Sequence, residues 1–184
     1  MVELRTERTL IRLPQPADAG ALLEYYASNR EHLVRWEPHR DADFYTRGYW
    51  ERWIEDIQVS AKAGTTRHFV AFPSAGEAQG VVGVCNLTSI YRGAFQACIM
   101  GYSIGAAYSG RGLMREIVSE VVSYAFGTLD LHRVMANYRP ENERSARVLS
   151  DLGFQKEGLA PAYLKIGGKW RDHILTAKIN PRHL

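Results

Sequence analysis

Cysteine is scarce in this chain, with only Cys85 and Cys98 among 184 residues. The two form no CxxC pair and stand apart from any histidine at ligand spacing. That excludes a metal site or a disulfide framework and leaves two reduced thiols. No apolar run approaches the ~20 residues that a membrane-spanning helix requires. Met1-Val2-Glu3-Leu4-Arg5 has neither the basic start nor the apolar stretch of a secretory signal. We therefore expect a cytoplasmic protein without membrane contact. Internal repeats, low-complexity tracts and Pro/Gly/Ser-rich linkers are also missing. The net charge of +3 is mild, and the Lys and Arg side chains are scattered rather than gathered on one face. Direct nucleic-acid binding is not expected from that distribution, although a few cations could hold an anionic, nucleotide-derived ligand.

With 46% hydrophobic and 23% charged residues, the chain reads as one globular core, a single domain over residues 1–184. A strand is expected over Thr9–Leu13. Asp18 then opens a helix with Leu22, Leu23, Tyr26 and Ala27 on one face. An irregular segment follows, Asn29 to Asp43, and a second amphipathic helix over Phe44–Ala63. Strands are expected over His68–Phe72, Val81–Thr88 and Ala97–Ile104, the first two joined as a hairpin through the turn-rich Ser74–Gly80. A helix with Leu113, Ile117, Val121 and Phe126 on its apolar face follows Gly112. A strand at Arg133–Tyr138 comes next, then a helix over Asn142–Leu152 stopped by Gly153. The tail, Phe154–Ile179, reads as strands around Gly167-Gly168. The pattern is α+β (mixed α/β), with a largely antiparallel sheet.

The order strand, Gly110-x-Gly112, helix is the most informative local feature. Glycines allow a tight turn and a close backbone approach, and a helix start offers unpaired N–H groups and the positive end of the dipole. Together these suit a pyrophosphate. Arg115 occupies the third glycine position of a dinucleotide fingerprint, and the Gly-Lys-Ser/Thr of a Walker A loop is absent. Coenzyme A is the leading candidate among the pyrophosphate ligands that remain.

At this level of detail the chain resembles the GNAT acyltransferase superfamily. Within it, the similarity is to the RimJ/RimL type of ribosomal-protein-alanine N-acetyltransferases, with the RimJ branch nearer. The resemblance rests on Asn29-Arg30 to Trp36-Glu37-Pro38, Gly101-Tyr102-Ser103-Ile104-Gly105 and Gly110-Arg111-Gly112-Leu113-Met114. It continues through His132-Arg133-Val134-Met135-Ala136-Asn137-Tyr138, Asn142-x-x-Ser145, Leu152-Gly153-Phe154 and Trp170-Arg171-Asp172-His173. It implies a splayed sheet in which the Cys98–Ile104 and Arg133–Tyr138 strands part to admit the pantetheine arm of acetyl-CoA. Backbone groups of Tyr102, Ser103 and Ile104 would pair with that arm. The N–H groups of Ser109, Gly110, Arg111, Gly112, Leu113 and Met114 would hold the pyrophosphate. Asn137 belongs to the cofactor-binding set as well, and Asn142 and Ser145 would lie near the thioester. Asn142 can equally cap the helix that follows it.

Two departures from the superfamily pattern stand out. Ala107 replaces the Gln or Arg that many members place before the glycines. Leu149 replaces a tyrosine that in many members protonates the leaving thiolate. The RimJ/RimL pattern implies Ser145 for that protonation. The resemblance further implies direct attack of an amine on the thioester, without an acyl-enzyme. An α-amine with a pKa of about 7.7–8.0 is far more often neutral near pH 7 than a lysine at about 10.4. A chain without a conspicuous base therefore suits α-amines better. Glu37 is one candidate base, His68 another, and ordered water a third. The expected acceptor is the N-terminal Ala or Ser of a ribosomal protein, and the expected assembly a monomer or homodimer. A small amine as acceptor, or a non-catalytic acyl-CoA-binding module, are the competing readings.

Overall fold

A computed structural model describes residues 2–74 and 80–184 of the chain. The strands are β1 (Glu3–Arg5), β2 (Thr9–Arg12), β3 (Arg67–Pro73), β4 (Gly83–Tyr91), β5 (Ala97–Ile104), β6 (Arg133–Tyr138), β7 (Gln155–Ile166) and β8 (Lys169–Ile179). The helices are α1 (Ala19–Ser28), the single turn α2 (Arg30–Leu33), α3 (Arg47–Lys62), α4 (Leu113–Gly127) and α5 (Glu143–Asp151). All eight strands join one sheet in the order β1-β2-β3-β4-β5-β6-β8-β7. Every neighbouring pair is antiparallel except β5 and β6, which run parallel. The mixed α/β architecture is thus as expected. The β3–β4 hairpin forms too, although residues 75–79 of its expected turn lie outside the described residues.

Alternation along the strands divides the core in two. On one face α4 and α5 cover Phe69, Ala71, Cys85, Leu87, Cys98, Met100, Val134 and Ala136. On the other, α1 and α3 cover Val70 and Val84, with Leu22, Tyr25, Trp50 and Ile54 filling the layer. Ile117, Val118 and Val121 of α4 have no exposed surface. Each such side chain contributes on the order of 2 kcal/mol on burial, so α4 is anchored along its length. Leu149, at the position where many members of the superfamily carry a tyrosine, is the buried residue of α5 and belongs to the core.

Three local differences from the sequence reading have clear causes. β1 has only three residues at the sheet edge, too few to display a period. In α1, Tyr25 is buried with Ala19 and Leu22, while Ala27 is exposed. Leu22, Leu23 and Tyr26 pack in the core as expected, and the stripe takes in Tyr25 in place of Ala27. The helix expected from Phe44 begins instead at Arg47. Thr46 caps it by accepting a hydrogen bond from the Tyr49 N–H at 3.3 Å, and Ala42–Tyr45 forms a separate 3-10 turn.

The entry to α1 is fixed by a forked ion pair. Arg12 donates from Nη1 to Asp18 Oδ2 at 2.6 Å and from Nη2 to Oδ1 at 2.8 Å, and the Gln15 N–H donates to Oδ2 at 2.6 Å. Burial by itself would raise the Asp18 pKa, but the Arg12 bonds and the Gln15 N–H more than offset it, so the net shift is downward. A lowered folded-state pKa adds stability above the unfolded value, and that stability is lost as pH falls through the folded value. Asp18→Asn is therefore expected to cost about 3 kcal/mol at pH 7. The gap to wild type should close as pH drops below the ordinary carboxylate range. Urea unfolding of both proteins from pH 7 to pH 2 measures this.

Candidate active site

β5 and β6 pair over only three positions, Ala97↔Arg133, Cys98↔Val134 and Ile99↔Met135. Beyond them β5 stays with β4 as far as Ile104↔Gly83, and β6 stays with β8 as far as Tyr138↔Ile174. The inner edges of Met100–Ile104 and Ala136–Tyr138 are left facing one another without ladder bonds. A gap with open backbone donors and acceptors on its β5 side can add an extended chain as if it were another strand.

At the end of β5 the chain turns through Gly105–Gly112 into α4. Gly110 and Gly112 take φ of +77° and +76°, a region that side chains disfavour. The turn is held from three distant parts of the chain. Asn29, at the end of α1, accepts from the Ala106 N–H at 2.7 Å. Arg144 of α5 donates to Ser109 Oγ at 3.1 Å. Arg8, between β1 and β2, donates to the Arg111 carbonyl at 3.0 Å and pairs with Glu116 in the first turn of α4. The Ser109 N–H is already bonded to the Ala106 carbonyl at 3.2 Å, which narrows the expected donor set. Among the described residues the N–H groups of Gly110, Arg111, Gly112, Leu113 and Met114 bond to no protein acceptor. A row of free donors at a helix start suits an anion.

Side chains gather on both faces of the gap. On the α1/α3 face, Tyr25 Oη lies 2.9 Å from Ser103 Oγ. Glu37 is close enough for its charge to raise the Tyr25 phenol further, beyond what burial does. Burial also raises the Glu37 carboxyl, only partly opposed by Arg40, whose Nη2 is 3.4 Å away. The segment carrying Glu37 is pinned against the opposite arm of the sheet. The Gly167 N–H donates to the Glu37 carbonyl at 3.2 Å, and Arg139 donates to the Arg35 carbonyl beneath Trp36. On the α4/α5 face, Ser145 Oγ is 2.6 Å from Tyr102 Oη. Asn142 caps α5, its Oδ1 accepting from the Ser145 N–H at 3.1 Å. On the β6 side, Asn137 donates from Nδ2 to Tyr163 Oη at 3.3 Å.

The remaining candidates fall elsewhere. His68 is half-buried with its ring edge-on to Trp53 at 5.1 Å, and burial lowers its pKa. Its ties run to α3 and Asn86, which describes a packed histidine. Cys98 is buried, its thiol pushed up to about 12, and so carries almost no thiolate near neutrality. Sequence reasoning missed Tyr25, Arg8, Arg144 and the phenol of Tyr102. Only Tyr102 stood in a motif, and there for its backbone.

A family model for the GNAT acetyltransferase domain matches residues 8–155, and the chain belongs to that family. It is an N-acetyltransferase, and acetyl-CoA is its co-substrate. The chain is 42% identical to the ribosomal protein uS5-alanine N-acetyltransferase of Escherichia coli, over 98% of this chain and 92% of the relative. The crystal structure of the ribosomal-protein-S5-alanine acetyltransferase from Vibrio fischeri superposes with a TM-score of 0.94 at 38% identity, covering 98% of each chain. RimJ of Mycobacterium smegmatis, solved with CoA-disulfide, gives a TM-score of 0.88 at 27% identity over 100% of this chain and 88% of that one.

A Cβ added at Gly110 meets no atom within 4 Å, so Gly110→Ala costs only the backbone strain of about 1 kcal/mol. Alanine disfavours the positive φ of Gly110, so the turn that presents the free N–H groups should shift. Gly110→Ala is expected to raise the acetyl-CoA Kd about tenfold or more, with a circular dichroism spectrum like that of wild type. Calorimetric titration checks it.

Proposed function

We propose that this chain acetylates the N-terminal α-amine, Ala or Ser, of a ribosomal protein in the cytoplasm, by direct transfer within a ternary complex. The observation that carries this reading is the 42% identity along 98% of the chain to a ribosomal protein uS5-alanine N-acetyltransferase. The similarity extends past the donor loop into the segments that would border an acceptor, including Trp36-Glu37-Pro38 and Trp170-Arg171-Asp172-His173.

In this reading the free N–H groups of Gly110–Met114 hold the pyrophosphate of acetyl-CoA. The open β5 edge at Tyr102, Ser103 and Ile104 holds the pantetheine arm, Asn137 is among the cofactor contacts, and Asn142 and Ser145 lie near the thioester. Glu37 and Ser145 then work from opposite faces of the sheet. Glu37 attracts the acceptor ammonium and takes its proton, and burial favours that role because it makes the carboxylate a stronger base. Ser145 donates a proton to the departing sulfur. The buried, un-ionised state of Cys98 supports direct transfer over an acyl-enzyme.

The acceptor is tested with two peptides at matched concentration and pH. One has a free N-terminal Ala, and the other has a blocked N-terminus and one free lysine. The Ala peptide is expected to be acetylated faster. Equal or greater rates on the lysine peptide, or turnover confined to small amines, would overturn the acceptor while leaving N-acetyltransfer in place.

The Glu37 role makes a separate prediction about pH. A base works only when deprotonated, so kcat/KM should fall as pH drops through the raised Glu37 pKa. A second limb near pH 8 reports the α-amine of the substrate. Glu37→Gln is expected to lower kcat/KM about a hundredfold and to remove the lower limb alone. A pH–rate profile that keeps both limbs in the variant assigns proton removal to water.

A further inference from the structure

Successive residues of β5 face opposite sides of the sheet. Ser103 bonds to Tyr25 of α1, and Tyr102 bonds to Ser145 of α5. The Tyr102 phenol therefore spans from one arm of the splayed sheet to the helix that follows the other arm. It does so three residues beyond Ile99, the last β5 position paired with β6. Two groups hold Ser145. Asn142 fixes its backbone N–H, and the phenol meets its side chain at 2.6 Å.

The direction of that short bond decides what it does. A phenol is a much stronger acid than an alkyl hydroxyl, so the Tyr102 O–H donates and Ser145 Oγ accepts. The other acceptor near the phenol is the Ser145 carbonyl, at a longer 3.4 Å. The titratable groups near Tyr102 are Cys85 of β4 and Tyr138 of β6, and burial keeps the Tyr102 phenol protonated. A serine oxygen that accepts from Tyr102 must aim its own hydrogen elsewhere, and among the described residues no other protein acceptor meets it.

We propose that the Tyr102 side chain is a positioning residue for Ser145. Its hydrogen bond turns the serine O–H toward the leaving sulfur and stabilises the charge that develops on Ser145 Oγ. The inference rests on the proton-donor role of Ser145 given above, and adds a second side chain to it. As the acetyl carbon–sulfur bond breaks, its electron pair goes to sulfur. The amine nitrogen forms its bond to the acetyl carbon and loses its proton to Glu37, and the Ser145 proton goes to sulfur to give the free thiol. The proton that Glu37 releases to solvent balances the one solvent returns to Ser145. Throughout, the phenol keeps its hydrogen.

A double-mutant cycle tests this, with kcat and the acetyl-CoA Kd measured for Tyr102→Phe, Ser145→Ala and the double variant. Tyr102→Phe keeps the ring in the core and removes only the hydroxyl. It should lower kcat about tenfold while the Kd stays within about twofold. Ser145→Ala should lower kcat by roughly ten- to a thousandfold, and adding Tyr102→Phe to it should change kcat no further. A full tenfold loss in the Ser145→Ala background, or a loss of affinity with kcat intact, makes Tyr102 a structural residue and overturns the proposal alone. A silent Ser145→Ala overturns the proton-donor reading itself, and the Tyr102 role with it.

Discussion

The parallel contact between β5 and β6 lasts three residue pairs, and the rest of the molecule is arranged around where it stops. Each strand is committed to an antiparallel neighbour, β5 to β4 and β6 to β8, along nearly its whole length. The helices reinforce the split, since α4 and α5 occupy one face and α1 and α3 the other. Two inner edges are thereby left with unmet hydrogen-bonding groups near the middle of a large sheet. Sheet interiors rarely tolerate that, because an unpaired backbone group is costly away from water. The gap offers a place for a ligand backbone, and in the proposed mechanism Glu37 and Ser145 stand on either side of it. A substrate reaching through a sheet can meet a base from one layer and an acid from the other, without the two neutralising each other.

Much of this was legible in the sequence where the signal is local. β5 and β6 have the limits read from residue pattern alone, and α4 begins just after Gly112 as expected. Periodicity, glycine placement and helix caps act within a few residues, so a linear reading captures them. The errors were also local. A three-residue edge strand shows no period, and the apolar stripe of α1 is wider than the residue pattern indicated, which hid Tyr25.

Contacts across the chain were not legible at all. Tyr102 and Ser145 are separated by 43 residues, and Arg8 and Arg111 by 103. Nothing in a tyrosine within a strand announces which helix its hydroxyl will meet. The Ser109 amide is another case. It stands at the head of the glycine turn, yet the 3-10 turn before it has already used its hydrogen. Resemblance can name the residues of such a site, but which atoms are free is decided by folding.

The glycine turn has one more consequence, through its moorings. Arg8, Asn29 and Arg144 reach it from the first hairpin, the end of α1 and the start of α5. A loop rich in glycine would by itself sample many shapes, and these three ties remove that freedom before any ligand arrives. Affinity for the anion is therefore linked thermodynamically to the docking of three elements remote in sequence. Saturating ligand adds RT ln(1 + [L]/Kd) to the stability of the bound state. Because the three ties join the loop to the hairpin, α1 and α5, that increment can extend to all three. Filling the site should thus slow amide exchange in all three together, fusing them into one cooperative unit.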